Sequence, residues 1–65
     1  MTIETWWMNA SPEQRLYVLK DCDWRTLDGR PNRTARSASR KPWAALSPAM
    51  TNILTRKAAE GTVGL

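Results

Sequence analysis

The chain has no histidine, no phenylalanine and a single cysteine, Cys22. Without histidine, neither a Ser/His/Asp nor a Cys/His nucleophilic system can be assembled. One Cys and no His fall short of the four ligands a structural zinc ion takes, and a lone Cys forms no intrachain disulfide. The three glycines are scattered and make no phosphate-cradling loop. No apolar run approaches the ~20 residues of a membrane span. The start, Met1-Thr2-Ile3-Glu4, lacks the basic and then apolar order of a secretory signal. Asp21 and Asp23, the one close carboxylate pair before the basic half, fall near an expected helix end, where acidic side chains are ordinarily solvated. These absences argue against an enzyme and lead to the expectation of no metal, no cofactor, no small-molecule substrate and no membrane. A cytoplasmic location fits a lone, reduced Cys22 that serves as a small buried apolar side chain.

What is present is tryptophan and charge. A chain of 65 residues makes one domain, and domains of this size bury only about 60% of their unfolded surface. With disulfide and metal removed from the usual aids, the remaining ones are Trp6, Trp7, Trp24 and Trp43, each able to bury roughly 150–250 Å², and a second copy of the chain. A homodimer is therefore expected. Trp6 and Trp7 are adjacent, so on a helix they point about 100° apart. They cannot readily share one small core, and the pair is the expected partner or dimer interface.

The net charge of +4 is unevenly spread. Residues 1–29 carry Glu4, Glu13, Asp21, Asp23 and Asp28 against Arg15, Lys20 and Arg25, a balance of −2; residues 30–65 carry Arg30, Arg33, Arg36, Arg40, Lys41, Arg56 and Lys57 against Glu60, a balance of +6. The basic residues concentrate in Arg30–Lys41, RPNRTARSASRK, which has five cations and no carboxylate. Such asymmetry points to an anionic partner.

Periodicity and cap chemistry predict an all-α domain of three or four short helices. Thr2 as N-cap, Glu4 in the first turn, and Ile3, Trp6 and Trp7 at i, i+3, i+4 indicate a helix over 3–9. Ser11-Pro12-Glu13-Gln14 forms a capping box with proline at the first helical position and opens a helix over 12–22. On it Leu16, Tyr17, Leu19 and Val18 are expected to face neighbours, with Arg15 and Lys20 in solvent. Trp24 and Leu27 resume the apolar pattern before the Asp28-Gly29 stop. Residues 30–42 form a basic connector bracketed by Pro31 and Pro42, in which a weakly held helix over 34–40, capped by Thr34, would align Arg33, Arg36 and Arg40 on one face. Ser47-Pro48 opens an amphipathic helix over 48–60, with Met50, Ile53, Leu54 and Ala58 in one stripe and Gly61 as its stop. Residues 62–65 are expected to be a flexible tail.

Trp7-x-x-x-Ser11-Pro12 and Trp43-x-x-x-Ser47-Pro48 match at an offset of 36 residues. Each unit reads as a Trp wedge ahead of a Ser-capped, Pro-started helix, and both rings read as structural.

Two functions fit. The first is a small non-enzymatic regulatory protein that binds nucleic acid, with DNA preferred, through Arg30, Arg33, Arg36, Arg40 and Lys41. Asn32, Thr34, Ser37 and Ser39 would add short polar donors. Five phosphate contacts correspond to a slope near −4.5 in log affinity against log salt. The eleven or so residues between helices 12–22 and 34–40 exceed the tight turn of a helix-turn-helix. The second is a protein-binding inhibitor or adaptor that blocks a larger partner, using Trp and Arg contacts against an acidic surface.

Overall fold

The computed structural model describes residues 1–20, 24, 26–61 and 63. Among these residues, four helices and one 3₁₀ turn follow each other in the order α1 (Ile3–Asn9), α2 (Pro12–Leu19), α3 (Arg33–Ala38), the 3₁₀ turn Trp43–Ala45, and α4 (Pro48–Ala59). There is no β-strand among the described residues, so the all-α expectation holds. α1 packs on the 3₁₀ turn and on α4, and α2 packs on α3.

Helix starts follow their side-chain caps. The Thr2 side chain accepts from the Thr5 amide, at the start predicted for α1. Ser11 and Gln14 complete the capping box: Gln14 N donates to Ser11 Oγ at 3.2 Å, and Ser11 N donates to Gln14 Oε1 at 2.8 Å. Ser47 caps α4 by accepting from Met50 N at 3.3 Å, without a reciprocal partner. Ser11→Ala and Ser47→Ala are each expected to lower stability by about 1 kcal/mol, because each removes one cap hydroxyl, while the backbone N–H at position 11 still donates to Gln14. In a domain of this size each kcal/mol moves Tm by roughly 4–8 °C, so thermal melts read the loss in each variant. An unchanged Tm in either variant would show that its cap hydroxyl contributes nothing.

Several bounds differ from those expected from the sequence. α2 ends at Leu19, with Lys20 as C-cap; Asp21, Cys22, Asp23 and Arg25 lie outside the described residues, as does the expectation of a buried Cys22. α3 starts one residue early and stops at Ala38, because Asn32 and not Thr34 supplies the cap, accepting from Ala35 N at 2.9 Å. Val63 is 3% exposed and joins the core, whereas the whole of 62–65 was expected to be flexible. Gly61 ends α4 with φ +81°, a left-handed conformation that glycine adopts without steric cost.

The core consists of Trp7, Val18, Leu19, Ala35, Ala38, Leu46, Met50, Leu54 and Val63, with Ile3, Trp6, Leu16, Trp24 and Trp43 packed against it. Tyr17, expected to face neighbours, is exposed, as is Leu27, which resumes the apolar pattern in sequence. Tyr17 instead lies under Lys20, whose Nζ is 4.1 Å from the ring centroid. Leu27 sits at the tip of a turn in which Gly29 N donates to Thr26 O and Thr26 N donates to Arg30 O.

The 36-residue repeat has a structural counterpart. In each copy the residue three after the Trp donates its amide to the Trp carbonyl, Ala10 to Trp7 at 3.3 Å and Leu46 to Trp43 at 3.1 Å. That residue is extended in both, with φ/ψ of −78/150° and −76/147°, and a Ser cap and helical Pro follow. The two rings meet edge to face, with centroids 6.3 Å apart and planes at 66°, a favoured aromatic geometry. Both tryptophans are structural, as their shared context predicted.

Candidate functional site

The basic segment is fastened at both ends and does not hang as a loose connector. At its start Asn32 N donates to Trp24 O at 3.1 Å while its side chain caps α3. Along α3, Ala35 and Ala38 are 0% and 4% exposed and fix the helix to the core by one face. Beyond its end, Arg15 reaches from α2: Nε donates to Trp7 O at 2.8 Å, and Nη1 donates to Ser39 O at 3.1 Å and Lys41 O at 3.3 Å. The guanidinium also lies 4.9 Å from the Trp7 ring centroid. Trp7 Nε1 donates to Lys41 O at 2.9 Å. Arg15 thus takes carbonyls at the negative end of α3, where a cation is favoured. The sequence reading left Arg15 in solvent; it is half-buried because these carbonyls need donors.

With the alanines inward, the arginines face out. Arg33, Arg36 and Arg40 line one groove of about 610 Å³ with Thr26, Pro31, Asn32 and Ser37. Among the described residues no carboxylate lines it, and none of the three arginines has an ion pair. Arg36 and Arg40 also border a depression toward α2 that contains Glu13.

The other two predicted cations stand apart. Arg30 Nε lies 3.5 Å from Asp28 Oδ2, with both side chains mostly exposed. Asp28 is held below its ordinary carboxylate range chiefly by the hydrogen bond from the Thr26 hydroxyl, with backbone donors adding to it against slight desolvation. Lys41 lies outside this groove, in a second depression that adjoins it through Arg33 and Ser37. Ser39, expected as a polar donor at the surface, is 4% exposed, and its hydroxyl donates to Arg36 O at 2.7 Å. Pro31, expected only as a bracket of the connector, lines the groove, as does Thr26, which nothing in its local sequence marks.

Trp7 is wholly buried and spends its indole N–H inside the chain, so it is not available as a partner contact. Trp6 is half-buried against the core and is the one member of the pair that presents surface. The split predicted for adjacent helical residues is therefore observed, with Trp7 as the inward member. No helix among the described residues is long and apolar enough to cross a membrane. Comparison with known protein families, curated proteins and solved structures finds no match.

Proposed function

We propose that the chain is a non-enzymatic regulatory protein that binds duplex DNA along its phosphate backbone through α3. The observation that carries this reading is the groove in which Arg33, Arg36 and Arg40 converge, with no carboxylate among its described residues. Guanidinium groups match phosphate oxygens with paired donors, and Asn32, Ser37 and Thr26 in the same groove offer the short polar contacts that accompany them. α3 has six residues, about 9 Å of helix, which favours phosphate contacts over the reading of several bases. Binding is therefore expected to depend weakly on sequence and strongly on salt.

The pairing of Arg30 with Asp28 reduces the expected contacts to Arg33, Arg36, Arg40 and Lys41. Four contacts correspond to a slope of about −3.6 in log affinity against log salt, shallower than the −4.5 of five. Arg36→Gln is expected to weaken binding alike on unrelated duplexes and to flatten the slope by about 1. Mobility-shift titrations at several salt concentrations measure both. No complex at low salt, or a slope unmoved by Arg36→Gln, overturns the proposal. The homodimer expectation is read in parallel by sedimentation, as a mass near twice the 7.4 kDa of one chain.

A further inference from the structure

We infer that the depression between α3 and the start of α4, lined by Ala38, Lys41, Leu46 and Met50, is a binding site for a small amphiphilic anion, a carboxylate on a short apolar tail. The inference does not rest on the nucleic-acid reading, and it departs from the expectation that no small molecule is bound. The depression has a volume of about 360 Å³. Its apolar liners Ala38, Leu46 and Met50 are 4%, 9% and 3% exposed, so they form a floor continuous with the core. Arg33 and Lys41, both exposed, form a rim of two cations, and Ser47 adds a hydroxyl.

An apolar floor with a few polar groups at its edge is the usual composition of a small-ligand site, and the volume lies at the low end of the usual range. Among the described residues no carboxylate lines the depression, and the two rim cations favour a negative headgroup. Neither Arg33 nor Lys41 has an ion pair among the described residues, so a ligand headgroup need not displace an internal partner. Met50, unbranched and polarizable, lets the floor adapt to an alkyl or aryl tail. At about 30 Å³ per water-sized unit the space holds roughly ten heavy atoms, and octanoate is a fitting probe. The two halves of the depression are each weak, and the expected selectivity comes from having both on one molecule.

The test is amide chemical-shift titration of the full chain with octanoate, octanol and acetate. Octanoate is expected to bind with a dissociation constant of about a millimolar and to shift the amides of Ser37, Ala38, Leu46 and Met50. Octanol and acetate should each bind at least about tenfold more weakly, the loss expected when a charge-assisted contact or an apolar tail is absent. Lys41→Gln together with Arg33→Gln should weaken octanoate by about tenfold and leave octanol unchanged. Both side chains are exposed, so the double variant should fold. The inference is overturned by octanol binding as well as octanoate, by an octanoate affinity unchanged in the double variant, or by shifts confined to other residues.

Discussion

Trp7→Ala is expected to leave the chain without a cooperative thermal transition and with a far-UV spectrum close to that of a coil. The ring is 0% exposed, and truncating a buried Trp costs roughly 3–5 kcal/mol. A single core of this size rarely supplies more than about 3–5 kcal/mol in total. The loss is therefore comparable to everything the fold has. Three further contacts disappear with the ring: the bond from Nε1 to Lys41 O, the face under the Arg15 guanidinium, and the edge contact to Trp43.

Trp7→Phe separates the hydrogen bond from the burial. It keeps most of the apolar area and loses the N–H, while Lys41 O retains Arg15 Nη1 at 3.3 Å. That carbonyl is not orphaned, so the cost should stay near 1–2 kcal/mol, with a folded protein and a lowered Tm. Trp6→Ala, at a half-buried site, should fall between the two. A Trp7→Ala variant melting cooperatively within about 5 °C of the parent would show that Trp7 is not the centre of the core.

The helices were legible because their signals are local. Thr2, Ser11 and Ser47 each satisfy an amide three residues on, and an oxygen-bearing side chain at that offset is visible in sequence. The stripe of α4 was legible for the same reason: Met50 and Leu54 lie one turn apart and both are buried. What failed was the fate of side chains whose partners are distant in sequence. Arg15 resembles a solvated helix cation until Ser39 O and Lys41 O, 24 and 26 residues away, come within reach. Pro31 marks residues 30–33 as a loop in sequence, which puts the expected α3 cap at Thr34. Instead the chain enters the helix at once, as Asn32 is extended, with ψ near 180°, and can both cap and receive the turn.

The candidate site was legible as composition and illegible as geometry. The spacing of Arg33, Arg36 and Arg40 gave a shared face, and the structure brings these three into one groove. Nothing in the spacing indicated that Arg30 would pair with Asp28 across a turn, or that Lys41 would line a separate depression beside the groove. The alanines decide this arrangement. Ala35 and Ala38, buried at spacing three, set the rotation of the helix, and every other side chain takes its direction from them.

The Arg15 contact implies a prediction that links fold to function. Arg15→Met keeps a long flexible stem but removes the guanidinium, and with it the bonds to Trp7 O, Ser39 O and Lys41 O. Hydrogen bonds from a charged donor are worth about 1.5–3 kcal/mol each. They share one cation and are not additive. Lys41 O keeps Trp7 Nε1 and Trp7 O keeps the Ala10 amide, so Ser39 O is the acceptor that loses most. The net loss should be about 2–3 kcal/mol, measured as a lower urea midpoint. Arg15→Lys should recover little of it, because a single ammonium cannot span Trp7 O and Ser39 O as the guanidinium fork does. Hydrogen exchange of the Arg40 and Lys41 amides should quicken in Arg15→Met, since the end of α3 loses its hold on α2. Duplex binding should weaken as the arginines lose their fixed placement, yet the salt slope should stay near −3.6, because Arg15 makes no phosphate contact. Lowered affinity at constant slope thus distinguishes Arg15 from Arg36, where affinity and slope fall together. A flattened slope in Arg15→Met would instead place its guanidinium on the phosphates, outside the interior bonds that define it here.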